Sequence, residues 1–155
     1  MEEAKRTIPQ EKKHVVAIRI LLVDDFMQWR LAVRSILEAI PGFRIIGEAS
    51  NGLEAIEKAA TLRPDVVLLD IGMPILNGIE AARRIRRVSP QSKMIFLTQE
   101  QDSDVRAAAL AVGGTAYLLK STAVTELRPA IDAALQRGYQ PQVPNLLPLA
   151  SSYGG

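Results

Sequence analysis

The sequence predicts an α/β fold in which helices cover both faces of a five-stranded parallel sheet. Two observations carry this prediction. Five apolar runs are separated by segments of helix length. The first run, residues 15–25, has apolar side chains on both faces of the predicted strand, as in a strand that is buried on both faces of a sheet. The alternation of strand and helix favours right-handed crossovers and a doubly wound sheet of order 2-1-3-4-5.

The individual elements are predicted from apolar spacing and from the Pro and Gly residues that interrupt it. The strands are expected at residues 15–25, 43–49, 65–70, 93–98 and 115–119, the last of them after a Gly113-Gly114 helix cap. The first helix carries Val33, Ile36, Leu37 and Ile40 at helical spacing, and the second is expected to bury Leu53, Ile56 and Ala60. The remaining helices are expected at about residues 78–88, 103–112 and 123–137.

Composition narrows the class of protein. The chain has 155 residues, 48% of them hydrophobic, which suits one domain with a full core. A net charge of +2 is too small to indicate nucleic-acid binding by itself, and the lack of cysteine excludes disulfides and thiolate metal sites. No apolar run reaches the ~18 residues of a membrane span, and the charged N-terminus does not resemble a secretory signal. We expect a cytoplasmic protein without membrane partners.

Three segments are expected along the chain. Residues 1–14 are polar and predicted to be disordered, residues 15–138 form the folded domain, and residues 139–155 form a Pro-rich tail. The tail is interpreted as a linker remnant, with a docking segment as the alternative.

Four of the predicted strands end on polar residues suited to phosphoryl transfer. Asp24 and Asp25 follow the first strand, Asp70 the third, Thr98 the fourth and Lys120 the fifth. Each residue alone has a structural explanation, such as an N-cap, a turn or a surface charge. Because parallel strands end at one edge of the sheet, where ligands bind, their joint occurrence predicts a shared pocket.

The residue types in this pocket indicate its chemistry. Carboxylates held a few Å apart repel one another, so a proton or a cation is expected among them. Oxygen ligands without histidine or cysteine suit Mg²⁺, with Mn²⁺ as the alternative. A carboxylate can also act as a nucleophile, and a lysine and a threonine can stabilise phosphoryl oxygens.

These residues resemble the response-regulator receiver domains of two-component signalling. The matching elements are Asp24-Asp25, the motif Asp70-x-x-Met73-Pro74-x-x-x-Gly78, Thr98, and Tyr117-x-x-Lys120, over about residues 16–138. The local sequence is similar to the branch that usually carries a LuxR-type helix-turn-helix output domain. The resemblance implies a CheY-like, flavodoxin-like fold.

The resemblance also implies roles for the site residues. A histidine kinase would transfer a phosphoryl group to Asp70. Asp25, Asp70 and the carbonyl of Gly72 would hold Mg²⁺, with Asp24 assisting through water. Lys120 would pair with the phosphoryl group, and Tyr117 would turn inward as Thr98 moves toward it. The partners implied are the kinase, a downstream protein or output domain, and, as an alternative, a second copy of the chain.

Three residues depart from the family pattern. Gln99 stands where a small residue is usual, so it is expected to crowd the entry to Asp70. Gly72 stands where a larger residue is common and is expected to open the site to water. Pro129 lies early in the last helix, removes one N–H and is expected to bend the helix.

Three functions compete at this stage. The first is a receiver that switches a partner-binding face without being an enzyme in the ordinary sense. The second is the receiver half of a LuxR-type transcriptional regulator; DNA binding by this chain itself is not expected, because its tail carries no helix pattern. The third is an aspartyl-phosphate phosphohydrolase, for which the sequence supplies no cap segment and no substrate pocket. Repeated phosphate release would distinguish this enzyme from a switch.

Overall fold

The computed structural model describes residues 17–138, so the segments predicted at 1–14 and 139–155 lie outside the described residues. The strands are β1 (Ile18–Val23), β2 (Phe43–Ala49), β3 (Val66–Leu69), β4 (Lys93–Thr98) and β5 (Gly114–Leu119). The helices are α1 (Met27–Glu38), α2 (Gly52–Leu62), α3 (Gly78–Val88), α4 (Ser103–Ala111) and α5 (Ala123–Gly138), with a 3-10 turn at Lys120–Thr122. All strands pair in parallel in the order β2-β1-β3-β4-β5, which confirms the predicted topology.

Strand β5 differs from its predicted bounds by one residue at its N-terminal end. It begins at Gly114, which was expected to cap α4 together with Gly113. Gly113 alone makes the reversal, with a φ of +107° that side chains other than glycine rarely adopt. Gly114 therefore belongs to the sheet and not to the helix cap.

The core has two layers, one on each face of the sheet. Leu21, Val23 and Leu69 face the layer that contains α2, α3 and α4. Ile20 and Leu22 point the other way, toward α1 and α5. This alternation confirms that β1 is buried on both faces, as its apolar run predicts.

The predicted buried face of α2 is wrong. Leu53 is 47% exposed and Ala60 is also exposed, whereas Ala55 and Ala59 are fully buried. Ile56 is half-buried against the same core layer. The cause is close approach, because the small residues Ala55 and Ala59 bring the helix near the sheet and turn Leu53 outward.

The other helices agree with the pattern more closely. Val33 and Leu37 of α1 are buried, and Ile40 packs against the core from beyond the end of the helix. Helix α5 runs as one element through Pro129. No helix within residues 17–138 is long and apolar enough to cross a membrane.

Candidate functional site

The register of β1 and β3 places two of the predicted aspartates side by side. Val23 is opposite Leu69, so Asp24 and Asp70 are the next residues on neighbouring strands. The backbone continues the ladder beyond the strands, since Asp70 N–H donates to the Val23 carbonyl at 3.0 Å. The carboxyl ends of two central strands thus form the floor of the site, as expected for a doubly wound sheet.

The register of β4 and β5 brings the remaining two residues to the same edge. Thr98 is opposite Leu119, and Lys120 follows directly in the 3-10 turn. The Lys120 ammonium lies 2.6 Å from Asp24 Oδ2 and 3.3 Å from Asp70 Oδ2. A lysine 50 residues beyond Asp70 in sequence therefore bridges two carboxylates, and its side chain is only 10% exposed.

Three carboxylates form one cluster at this edge. Oxygen atoms of Asp24, Asp25 and Asp70 lie within 4.8 Å of one another. Asp24 and Asp70 are buried, whereas Asp25 is exposed. Burial raises the pKa of Asp24 above its ordinary value, although the hydrogen bond from Lys120 opposes that change. With three carboxylates and one ammonium, the ionised cluster has an excess of negative charge, and its all-oxygen donor set suits a hard divalent cation.

The loop after β3 fixes the backbone of Asp70. Asp70 Oδ1 accepts a hydrogen bond from the Ile71 N–H at 2.7 Å. The Ile71 carbonyl in turn accepts from the N–H groups of Met73 and Gly78, at 3.0 and 2.8 Å. Gly78 has no room for a side chain against the Asp70 backbone, whereas Gly72 is exposed and open. These hydrogen bonds and the close packing of Gly78 therefore fix the conformation of the loop that follows Asp70.

Thr98 and Tyr117 both form hydrogen bonds with the backbone of Glu100. Thr98 Oγ1 accepts from the Glu100 N–H at 3.1 Å, and the Tyr117 hydroxyl donates to the Glu100 carbonyl at 2.7 Å. The Tyr117 ring lies 6.4 Å from the Phe96 ring and 5.6 Å from the Arg106 guanidinium carbon. Burial, followed by the negative charge of Glu100, raises the pKa of Tyr117. The structure therefore places Tyr117 beside Glu100 and not in the carboxylate cluster.

Two side chains that contact site residues are not predicted from the sequence. The Trp29 ring lies 5.2 Å from the Lys120 ammonium, and Arg106 lies over Tyr117. A signal for Trp29 was available, because it occupies the first turn of the helix that begins next to Asp25. No comparable signal exists for Arg106, whose contact depends on the packing of α4 against β5.

Gln99 is exposed at the rim of the site. It borders a cavity of about 440 Å³ together with Trp29, Leu119 and Lys120. Its effect on the rate of phosphoryl transfer, like that of Gly72, stays a prediction.

A parallel sheet of order 2-1-3-4-5 with acidic residues and a lysine at its carboxyl edge defines a class of α/β signalling domain. Comparison with protein families identifies which one, because residues 20–132 match the response regulator receiver domain. The chain belongs to this family.

Individual relatives show the same relationship. The chain is 41% identical over 117 residues to the transcriptional regulatory protein LiaR of Bacillus subtilis, covering 76% of this chain and 56% of LiaR. It is 36% identical over 135 residues to a protein-glutamate methylesterase/protein-glutamine glutaminase of Methanosarcina acetivorans, covering 85% and 39%. A LuxR-family two-component response regulator from Aurantimonas has a similar structure, with a TM-score of 0.74 and 34% identity over 77% of this chain and 86% of that one.

The chain thus spans only part of the curated relatives it matches: it covers 39% of the methylesterase and 56% of LiaR. The matched part is the receiver domain. It acts as a signalling switch in two-component systems, and phosphorylation on aspartate is a general feature of the family.

Proposed function

We propose that Asp70 is the phosphoacceptor of this receiver domain and that the donor is a phosphohistidine on a histidine kinase. The observation that carries the proposal is the position of the Asp70 carboxylate, at the carboxyl end of a central strand, 3.3 Å from the Lys120 ammonium and among two further carboxylates. Its Oδ1 already accepts from the Ile71 N–H, which orients the group.

The proposed transfer is a displacement at phosphorus. A lone pair on an Asp70 carboxylate oxygen forms the new P–O bond, and the P–N bond to the donor histidine breaks with its electrons going to the imidazole nitrogen. Lys120 neutralises charge on the phosphoryl oxygens, for which it is placed beside Oδ2.

We propose Mg²⁺ as the cofactor, held by Asp25, Asp70 and the carbonyl of Gly72, with Asp24 bound through water and Mn²⁺ as a substitute. The oxygen-only donors and the surplus negative charge support this assignment. When bound, the ion would polarise the phosphoryl oxygens and balance their charge. The structure adds a competing role for Asp24, since this carboxylate is the closer partner of Lys120.

We propose that the switch runs through Thr98, Glu100 and Tyr117 to the face formed by α4, β5 and α5. A hydroxyl can accept one hydrogen bond and donate another, so Thr98 can donate to a phosphoryl oxygen on Asp70 while it still accepts from Glu100 N–H. Movement of Thr98 would then displace the backbone of Glu100, whose carbonyl accepts a hydrogen bond from the Tyr117 hydroxyl.

The switch is tested with Thr98→Ala and a phosphoryl mimic such as beryllofluoride. Amide NMR shifts in α4 and β5 should be large in wild type and reduced in the variant, because the new contact of about 1–3 kcal/mol is lost. Shifts of full size in Thr98→Ala would assign the switch to another residue.

The downstream output is proposed to be a separate protein or an output domain, and any DNA contact is assigned to that partner and not to residues 17–138. We also propose a switch that retains its phosphoryl group, not a phosphohydrolase. Under excess small phosphodonor, phosphate release should stay slow after the first equivalent. Rapid, repeated release would favour the enzyme.

The phosphoacceptor is tested by incubating the chain with acetyl phosphate and Mg²⁺ and measuring intact mass. Wild type should gain one phosphoryl group, and Asp70→Asn should gain none. The matched control is Asp65→Asn, which changes the aspartate at the opposite end of β3. Labelling of Asp70→Asn at the wild-type level would refute the assignment.

A further inference from the structure

The Lys120 ammonium has three neighbours: two carboxylates and one aromatic ring. The ammonium bonds Asp24 and Asp70, and it lies 5.2 Å from the centroid of the Trp29 ring. That distance is within the ~6 Å at which a cation is attracted by the π-face of a ring, and tryptophan is the strongest partner for such a contact. The attraction is greater where water is excluded, as it is around this nearly buried side chain.

Trp29 is itself held in place. It lies in the first turn of α1, where its backbone N–H donates to the Phe26 carbonyl at 3.0 Å. Its ring packs against the core layer beneath α1 and α5. The helix that begins beside Asp25 therefore carries a fixed aromatic surface to the lysine of the site.

The contact has a consequence for where the ammonium lies. Lysine carries its charge on a flexible four-carbon chain, and with the Trp29 ring in place its ammonium lies 2.6 Å from Asp24 and 3.3 Å from Asp70. The Trp29 ring supplies an attraction that depends on neither carboxylate. It therefore persists when a cation or a phosphoryl group changes the charge of the cluster.

We propose that Trp29 is a positioning residue for Lys120, whose π-face keeps the ammonium poised beside Asp70 for the incoming phosphoryl group. This inference rests on the proposed phosphoryl transfer to Asp70. The competing explanation is that Trp29 only fills space in the core, so the test must change the charge distribution of the ring without changing its shape.

The sequence makes such a test available, because Trp29 is the single tryptophan of the chain. Biosynthetic replacement by 5-fluorotryptophan and by tetrafluorotryptophan modifies that ring alone and weakens its attraction for a cation stepwise. The first measurement is the rate of Asp70 phosphorylation against acetyl phosphate concentration, with Mg²⁺ present. The second is the NMR shift of the Lys120 ε-methylene group in metal-free protein, which reports its position over the ring without any phosphoryl transfer.

We expect the phosphorylation rate to fall with each fluorination step, by about threefold to thirtyfold in total. The Lys120 resonance should move with it, while the urea midpoint stays constant. Trp29→Phe should keep most of the rate, and Trp29→Leu should match the most fluorinated protein. Leu31→Ala, on an exposed residue of the same helix, is the control and should leave the rate unchanged.

Two outcomes would overturn the inference: a phosphorylation rate that is unaffected by fluorination, or a rate that falls only in proportion to a loss of stability. If wild-type protein takes up no phosphoryl group, the proposed function fails, and the Lys120 resonance alone decides whether Trp29 positions the lysine. An unchanged Lys120 resonance across the fluorinated proteins would then refute the positioning role.

Discussion

Gly78 offers the sharpest test of how the backbone holds Asp70. A Cβ added at Gly78 would lie 2.8 Å from the Asp70 carbonyl carbon, 2.9 Å from Ile71 Cα, and closer still to the Asp70 carbonyl oxygen. All three are backbone atoms, so no change of side-chain rotamer relieves the clash. Gly78→Ala must instead push α3 away from the segment after β3 and break the 2.8 Å hydrogen bond from Gly78 N–H to the Ile71 carbonyl.

The magnitude follows from two terms. Overpacking costs about 1–3 kcal/mol, and the broken hydrogen bond costs about 1 kcal/mol. The preference of alanine for helices offsets part of this loss, by at most about 1 kcal/mol. We therefore expect Gly78→Ala to lower the free energy of unfolding by about 1–4 kcal/mol.

Urea denaturation followed by circular dichroism measures the effect. With a slope of about 2 kcal/mol per molar urea, the midpoint should fall by about 0.5–2 M. Gly72→Ala is the matched control in the same loop, because its added Cβ meets no atom within 4 Å, and it should change stability by less than about 0.5 kcal/mol. A Gly78→Ala protein as stable as the control would show that the loop does not hold Asp70 by this contact.

Three further predictions concern the rest of the site. Mg²⁺ at about 100 times its dissociation constant should raise the free energy of unfolding by about 2.7 kcal/mol in wild type and in the Asp132→Ala control. Asp25→Ala should be stabilised less, and equal stabilisation would show that Asp25 is not a ligand of the metal. Ile75→Asn should stabilise the protein by about 1 kcal/mol in urea denaturation, because Ile75 has a φ of +69°, which is strained for a β-branched residue; a loss of stability would contradict this. Because the pKa of Asp24 is raised in the folded state, its ionisation opposes folding as the pH rises above 3.8. The stability of Asp24→Asn relative to wild type in chelator should therefore increase with pH from that value, whereas a pH-independent difference would refute the burial argument.

The parts of the site that depend on strand ends could be predicted from the sequence. Four of the five apolar runs end at a polar residue of the site, and a parallel sheet brings such ends to one edge whatever the sequence separation. Register then adds the detail, since Val23 opposite Leu69 and Thr98 opposite Leu119 place the following residues next to one another. The same rule applies to each strand, and both the apolar runs and the polar residues that end them are visible in the sequence. This part of the site can therefore be predicted from the sequence.

The parts that depend on packing between elements could not be predicted in the same way. The helical pattern predicts that α2 buries the larger apolar residue Leu53. The smaller residues Ala55 and Ala59 are buried instead, because they allow the helix to approach the sheet more closely. The contact of Arg106 with Tyr117 arises for the same reason, since it joins two elements whose separation the sequence does not encode locally. Periodicity identifies a helix, but the distance at which it packs selects the buried face.

The site has a tightly packed part, which contains Met73 and Gly78 and is called the closed part here, and an exposed rim, which contains Gly72 and Gln99 and is called the open part. Met73 is buried in the core and Gly78 is pressed against backbone, so substitution at either position disturbs the loop that carries Asp70, the proposed phosphoacceptor. These are the positions at which the chain keeps the family motif. Gly72 and Gln99 depart from the family pattern, and both lie where space is open: nothing adjoins the Cβ position of Gly72, and Gln99 is exposed. Packing constrains the closed part, so a change in the open part can alter access of donor and water to Asp70 without a cost in stability. The residues that set the rates of phosphorylation and hydrolysis should therefore be sought at this rim.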